Sequence, residues 1–176
     1  MNKLFLALAL AGALSAQQAP QRPQTLRGVL LEQLHTTFDV EDWFVPITVA
    51  IEGLSPEQVK WTDGKGGHSI GQLVNHMAFW NEQNLHRFQG TPLLAYDGNN
   101  DETFNKFDAK TWVQTMERLI QVMKDWDKAV ETADEEKLKT QASRIAHVGT
   151  HNAYHLGQII YIRKLQGSWD PAKGVK

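Results

Sequence analysis

One segment, His147-Val148-Gly149-Thr150-His151-Asn152-Ala153-Tyr154-His155-Leu156-Gly157-Gln158, constrains this chain more than any other. It sets imidazoles at i, i+4 and i+8. At ~100° per residue, four residues advance a helical wheel by about 40°, so the three rings climb one face of a helix. Ile159, Ile160 and Ile162 continue the segment, which predicts that this face turns inward. Burying a polar ring without a partner costs roughly 1–3 kcal/mol. The fold must bring a partner to these rings, and a metal ion is one that engages several imidazoles at once.

Composition narrows the chemistry. The chain has 176 residues, enough for one domain with its own core, and no cysteine. That excludes disulfides, thiolate nucleophiles and Cys-ligated zinc, so a metal site here uses nitrogen and oxygen ligands. A net charge of −2 offers no electrostatic case for nucleic acid or an anionic membrane surface.

Residues 1–16 read as a signal peptide, with Lys3, an apolar run from Leu4 to Ala13, and small residues at Ala13, Ser15 and Ala16. The run is too short to span a bilayer comfortably, and without cysteine there is no lipid-attachment site. The expectation is an exported protein, periplasmic or extracellular, with no stable membrane insertion after cleavage. An uncleaved N-terminal anchor is the alternative. Loss of Lys3 leaves 17 cationic against 20 acidic residues, a charge of −3. Residues 17–24, polar and Pro-bearing, form a tether.

The remaining pattern is helical. Leu30, Leu31, Leu34 and Phe38 mark a first helix from about Thr25. A second helical piece carries Trp43, Phe44, Val49, Ile51 and Leu54, and Pro46 inside it predicts a kink or break near Trp43. Ser55-Pro56-Glu57-Gln58 is a capped turn, and Asp63 to Gly67 is a loop. Ser69 and Gln72 form a capping box that opens a helix through His76 and Trp80 to about Phe88, where Gly90 and Pro92 stop it. Residues 91–107 read as a long irregular connection, functional or mobile. Trp112, Met116, Leu119, Ile120, Met123, Trp126 and Val130 define an amphipathic helix. Thr132 to Thr140 reads as a charged turn, and the last helix is expected from about Gln141 to Gln166, with Gly167 as its cap. The fold class is all-α, a four-helix bundle over 25–170 with a tail at 171–176.

The i, i+4 pair His151 and His155 puts two rings within reach of one ion, although spacing alone fits a buried, metal-free pair equally well. His76 supplies a third nitrogen from another helix, on a polar stripe with Gln72, Trp80 and Gln83 that is expected to face a site. Three nitrogen ligands leave an open coordination position, the mark of catalytic rather than structural metal sites. A divalent ion there activates water. Asn152 stands where a zincin carries its catalytic Glu, which excludes a thermolysin-like protease.

Other residues stay open at this point. His147 is a further ligand or a pocket residue. His68 is a loop residue bonded locally, and His35 and His86 are surface or half-buried. Arg144 is an anchor for an anionic substrate or a solvated arginine. The tryptophans read mainly as core, with Trp80 placed to wall a pocket and Trp61 either core or pocket. Asp97, Asp101, Glu102 and Tyr154 are acid/base candidates that spacing does not rank.

The run "HSIGQLVNHMAFWNE", followed far downstream by "HNAYHLGQIIYIRKLQGSW", resembles the DinB-like (damage-inducible) family of four-helix-bundle proteins, as do "WFVP" and the tryptophan before the Gly-rich loop. The resemblance extends over nearly the whole mature chain. Its pattern of one His on the second helix and a His-x-x-x-His pair followed by Gly-Gln on the last maps to His76, His151 and His155. It implies a bundle that binds one divalent metal cation, nickel or zinc, often as a homodimer. Family members of known activity include thiol-dependent S-transferases and an isomerase using a low-molecular-weight thiol, and many others are described as metal-dependent hydrolases. The export-like N-terminus departs from the bulk of the family and argues against S-transfer, because such thiols are chiefly cytosolic. The resulting expectation is an exported metal-dependent hydrolase using metal-activated water on an unknown small-molecule substrate. The alternatives are a non-catalytic metal- or ligand-binding module, a thiol-dependent S-transferase, and a plain structural bundle.

Overall fold

Strong local stop and start signals set where the long helices begin and end. The computed structural model describes residues 22–174, so the expected signal peptide and residues 17–21 of the tether lie outside the described residues. Helix α1 (Leu26–Phe38) starts where Thr25 Oγ1 accepts from Gly28 N at 3.0 Å. Helix α2 (Ile47–Ile51) and helix α3 (Pro56–Lys60) are short. The capping box of Ser55 and Gln58 opens α3 as the sequence predicts. Pro46 is the N-cap of α2 and does not kink a longer helix. Its ring biases Val45 toward extended backbone, so Trp43 and Phe44 fall outside the helix. Trp43 is 88 % exposed and not core.

Helix α4 (Ile70–Gln89) opens with Ser69 N donating to Gln72 Oε1 at 2.9 Å and Gln72 N donating to Ser69 Oγ at 3.3 Å. It closes at Gly90, whose φ of 73° suits a residue without a Cβ. The connection that follows is irregular except for one turn, α5 (Glu102–Asn105). A 3₁₀ turn then leads into α6 (Trp112–Thr132).

Helix α7 (Glu135–Leu165) begins well before the expected Gln141. Asp134 caps it, accepting from Lys137 N at 2.7 Å, and Glu135 and Glu136 complement the positive end of the helix. What reads as a charged turn is therefore mostly the first turns of α7. The tight passage from α6 is held by Arg27, which donates to Val130 O, Glu131 O and Ala133 O at 2.6, 2.9 and 2.8 Å.

The four long helices make the bundle: α4 packs on α6 and α7, and α1 packs on the same two. Leu34, Ile70, Met77, Leu119, Trp126 and Ile159 fill the space between them. The described residues contain no strand. Among them, no helix is long and apolar enough to cross a membrane.

Candidate metal centre

Where α4 meets α7, His76 faces the pair His151 and His155. The Nε2 atoms of His76 and His151 are 3.2 Å apart, and those of His151 and His155 are 3.1 Å apart. One nitrogen from each ring lies within 4.8 Å of the other two. Two ligands about 2.05 Å from a tetrahedral zinc stand about 3.3 Å apart, so the shorter separations are of the right size for a shared ion.

Hydrogen bonds fix which nitrogen faces the centre. Thr103 donates its hydroxyl proton to Asn100 O at 2.7 Å, so its oxygen accepts from His76 Nδ1 at 2.6 Å. Gln158 Oε1 accepts from His155 Nδ1 at 2.6 Å. A neutral imidazole carries one proton, so His76 and His155 both present an Nε2 lone pair to the centre. His151 Nε2 can donate to one of them at most. One of the two short contacts therefore sets lone pair against lone pair unless a cation lies between. Protonation is a poor remedy: burial, then the neighbouring His155, His151 and His68, push His76 down to about 3. Burial and His155 push His151 down to about 4, and burial lowers His155 against the opposing bond from Gln158. A divalent ion suits this donor set. A self-contained hydrogen-bonded histidine cluster does not.

Aromatic rings stack in the wall beside the centre. Phe104, on α5, stacks on His76 with centroids 3.8 Å apart and planes 9° from parallel. His68 stacks on its other face at 3.9 Å and 2°. The centre and this stack open into a cleft of about 1020 Å³ lined also by Trp80, Asp101, Arg144, His147 and Tyr154.

The sequence of this region also matches a known profile: residues 46–159 fit the family model of the DinB superfamily. The chain belongs to the DinB superfamily. Its DinB match spans His76, His151 and His155. No curated protein and no solved structure matches the chain.

Seen in three dimensions, the residues picked out from this DinB sequence sort clearly. His147 lines the cleft and stands apart from the cluster of three, its Nδ1 donating to Ser143 O at 2.6 Å. His68, expected as a loop residue bonded locally, stacks on Phe104, which in turn stacks on His76. His35 and His86 are half-buried and bond Asp127 and Pro92 O respectively. Trp61 borders a smaller cleft with Tyr161 and Leu165. Asp101 and Tyr154 line the main cleft, whereas Asp97 and Glu102 line a different one. The polar stripe on α4 is a partial correction. Gln72 caps its own helix, and Gln83 bonds both backbone polar groups of Leu94, accepting from N at 2.8 Å and donating to O at 3.3 Å. Only His76 and Trp80 of that stripe face the cleft. Thr103 and Phe104 were invisible in the sequence, being brought to His76 by a connection 27 residues downstream. Gln158 carried a signal: its i, i+3 spacing from His155 puts it on the same face.

Proposed function

We propose that this protein is a metal-dependent hydrolase whose His76, His151 and His155 hold one divalent cation, nickel or zinc. The observation that supports it is the meeting of three Nε2 atoms from two helices, with the far nitrogens of His76 and His155 already bonded to Thr103 and Gln158. When bound, such an ion supplies Lewis-acid chemistry and makes a water more acidic.

The chain's own residues do the rest. Thr103 and Gln158 hold two rings in the tautomer and orientation that a ligand needs. Phe104 stacks on His76 with His68 behind it, and both rings form part of the wall of the large cleft by which substrate approaches. Tyr154 is the acid/base group best tied to the centre: its hydroxyl accepts from Gln158 Nε2 at 3.4 Å, the same amide that orients His155. Asp101 is the one carboxylate lining the cleft among the described residues.

Elemental analysis of untagged, chelator-free protein tests the metal, with ester, amide and phosphoester panels testing hydrolysis. One metal equivalent is expected in the wild type, lost together with activity in His76→Ala, His151→Ala and His155→Ala. A full equivalent retained in those variants overturns the reading. A non-catalytic metal-binding module is the second reading, and Asn152 favours it. That side chain is 1 % exposed and bonds Asn81 at 2.8 Å and Met123 at 3.3 Å, so α7 offers no acid beside its ligands at this position. In that case metal is stoichiometric and every panel is silent. The proposal takes the protein as exported and as a homodimer acting on a small molecule, away from the thiols that S-transfer requires. N-terminal sequencing of the secreted product and sedimentation check those two points.

A further inference from the structure

Arg144 sits on α7 seven residues before His151. Seven residues return a helix to within about 20° of the same face and rise about 10 Å, so Arg144 and the metal centre share one side of the rod, two turns apart. Both line the same cleft. Arg144 is half-buried and forms no ion pair among the described residues. It is held by neutral amides: Nη1 donates to Asn84 Oδ1 and Nε to Gln141 Oε1, each at 3.1 Å. Asn84 is itself fixed on α4, its Nδ2 donating to Trp80 O at 2.8 Å. A guanidinium has five N–H donors. With two engaged in these bonds, the Nη2 group and one Nη1 proton remain for a ligand, on a side chain that is already oriented.

His147 lies between the two ends, one turn after Arg144 and one turn before His151. Its Nδ1 donates to Ser143 O, which leaves Nε2 as an acceptor on an exposed ring lining the cleft. Arg144 is the one Lys or Arg among the described residues that line the cleft, and Asp101 is the one carboxylate. A cleft with a single fork-shaped cation and one carboxylate in its lining suits a planar monoanion better than a dianionic phosphate.

We propose that the cleft selects substrates that carry a carboxylate, bonded by Arg144, about two helical turns from the group that reacts at the histidine centre. This rests on the metal-centre reading above and names the class of substrate for it. The substrate lies extended along α7, and His147 Nε2 accepts an N–H or O–H from its middle. The carboxylate end is bound far from the reacting group, so it supplies orientation.

The test uses metal-loaded, full-chain protein and two probes with eight-carbon chains, suberic acid monohydroxamate and octanohydroxamic acid. Both bind metal through the hydroxamate, and only the first carries a distal carboxylate. Calorimetry on the wild type is expected to show the carboxylate probe binding about tenfold more tightly, with the gap narrowing as salt is added. Arg144→Gln, which keeps metal content, is expected to close the gap, and Arg144→Lys to restore part of it. Equal affinity of the two probes for the wild type overturns the carboxylate site while leaving the metal centre standing, and this comparison needs no variant to fold. Failure of both probes to bind loaded protein overturns the reading of that metal as open to a substrate, and the carboxylate site with it.

Discussion

Thr103 accepts a hydrogen bond from His76 Nδ1 at 2.6 Å while its own proton goes to Asn100 O. The hydroxyl is therefore an acceptor toward the ring by construction, and it commits the Nε2 of His76 to the centre. Thr103→Val keeps the shape and removes that acceptor. Metal affinity is expected to fall about 10- to 100-fold, as for other partners of ligating histidines. Thr103→Ser is expected to retain most of it. Competition against a chromophoric chelator measures both, and unchanged affinity in the Val variant would show that the bond does not orient the ring.

Metal removal exposes a pH dependence whose sign follows from burial. An ordinary imidazole titrates near pH 6.5, but folded metal-free protein holds His76 at about 3 and His151 at about 4. As pH falls, the unfolded chain takes up protons before the folded one does. The resulting loss of stability begins near pH 6.5 and continues down through the two folded values, and above pH 6.5 the contribution is level. Urea midpoints of metal-free protein are expected to drop between about pH 7 and about pH 5, and to drop less in a His76→Leu/His151→Leu variant. Parallel curves for the two proteins would contradict the assignment.

Gly71 is required by a close approach. A Cβ there would lie 2.1 Å from Phe107 Cζ, and Gly71 is buried in the first turn of α4. Gly71→Ala is expected to cost about 1–3 kcal/mol by overpacking, despite alanine's better helix propensity. Adding Phe107→Leu should recover part of the loss, a coupling that a double-mutant cycle in urea reads directly.

Arg163 offers a contrast, a buried charge that braces backbone away from the three histidines. It is 5 % exposed and donates to Ala50 O, Glu52 O and Ser168 O at 2.7, 3.0 and 2.8 Å. Its pKa is lowered by burial, with Glu52 opposing. Arg163→Met leaves those carbonyls short of a donor and is expected to destabilise the fold by about 2–4 kcal/mol, with metal stoichiometry unchanged. Denaturation together with elemental analysis separates the two effects, and lost metal in a folded variant would link this end of α7 to the site.

Features carried by short-range signals were legible in the sequence. The Ser69–Gln72 box, Gly90 and the spacing of His151 and His155 each act within about one turn, so α4 and the ligand pair could be placed without tertiary information. The start of α7 was misplaced because its cap, Asp134, stands in a charged run that reads equally well as a turn. Gln83 looked like a site residue because an isolated polar side chain on an apolar face gives no hint of its partner, and Leu94 lies on the following loop. The same is true of Phe104 and Thr103: they meet His76 only once the loop has folded back, and no local pattern encodes that return.

The double grip of Gln83 on Leu94 divides the loop after α4 into segments with separate fates. Upstream drift stops at that amide, and downstream drift stops where Thr103 meets His76 and Asn100. Between these clamps Tyr96 packs back on Phe79 and Trp80, and Asn99 accepts from Asp101 N. A change of length therefore falls on the exposed Asp97 and Gly98 between them, away from the ligands and the core. Variation in loop length there would reshape the neighbouring hollow lined by Tyr96 and Asp97, while the imidazole geometry stays in register.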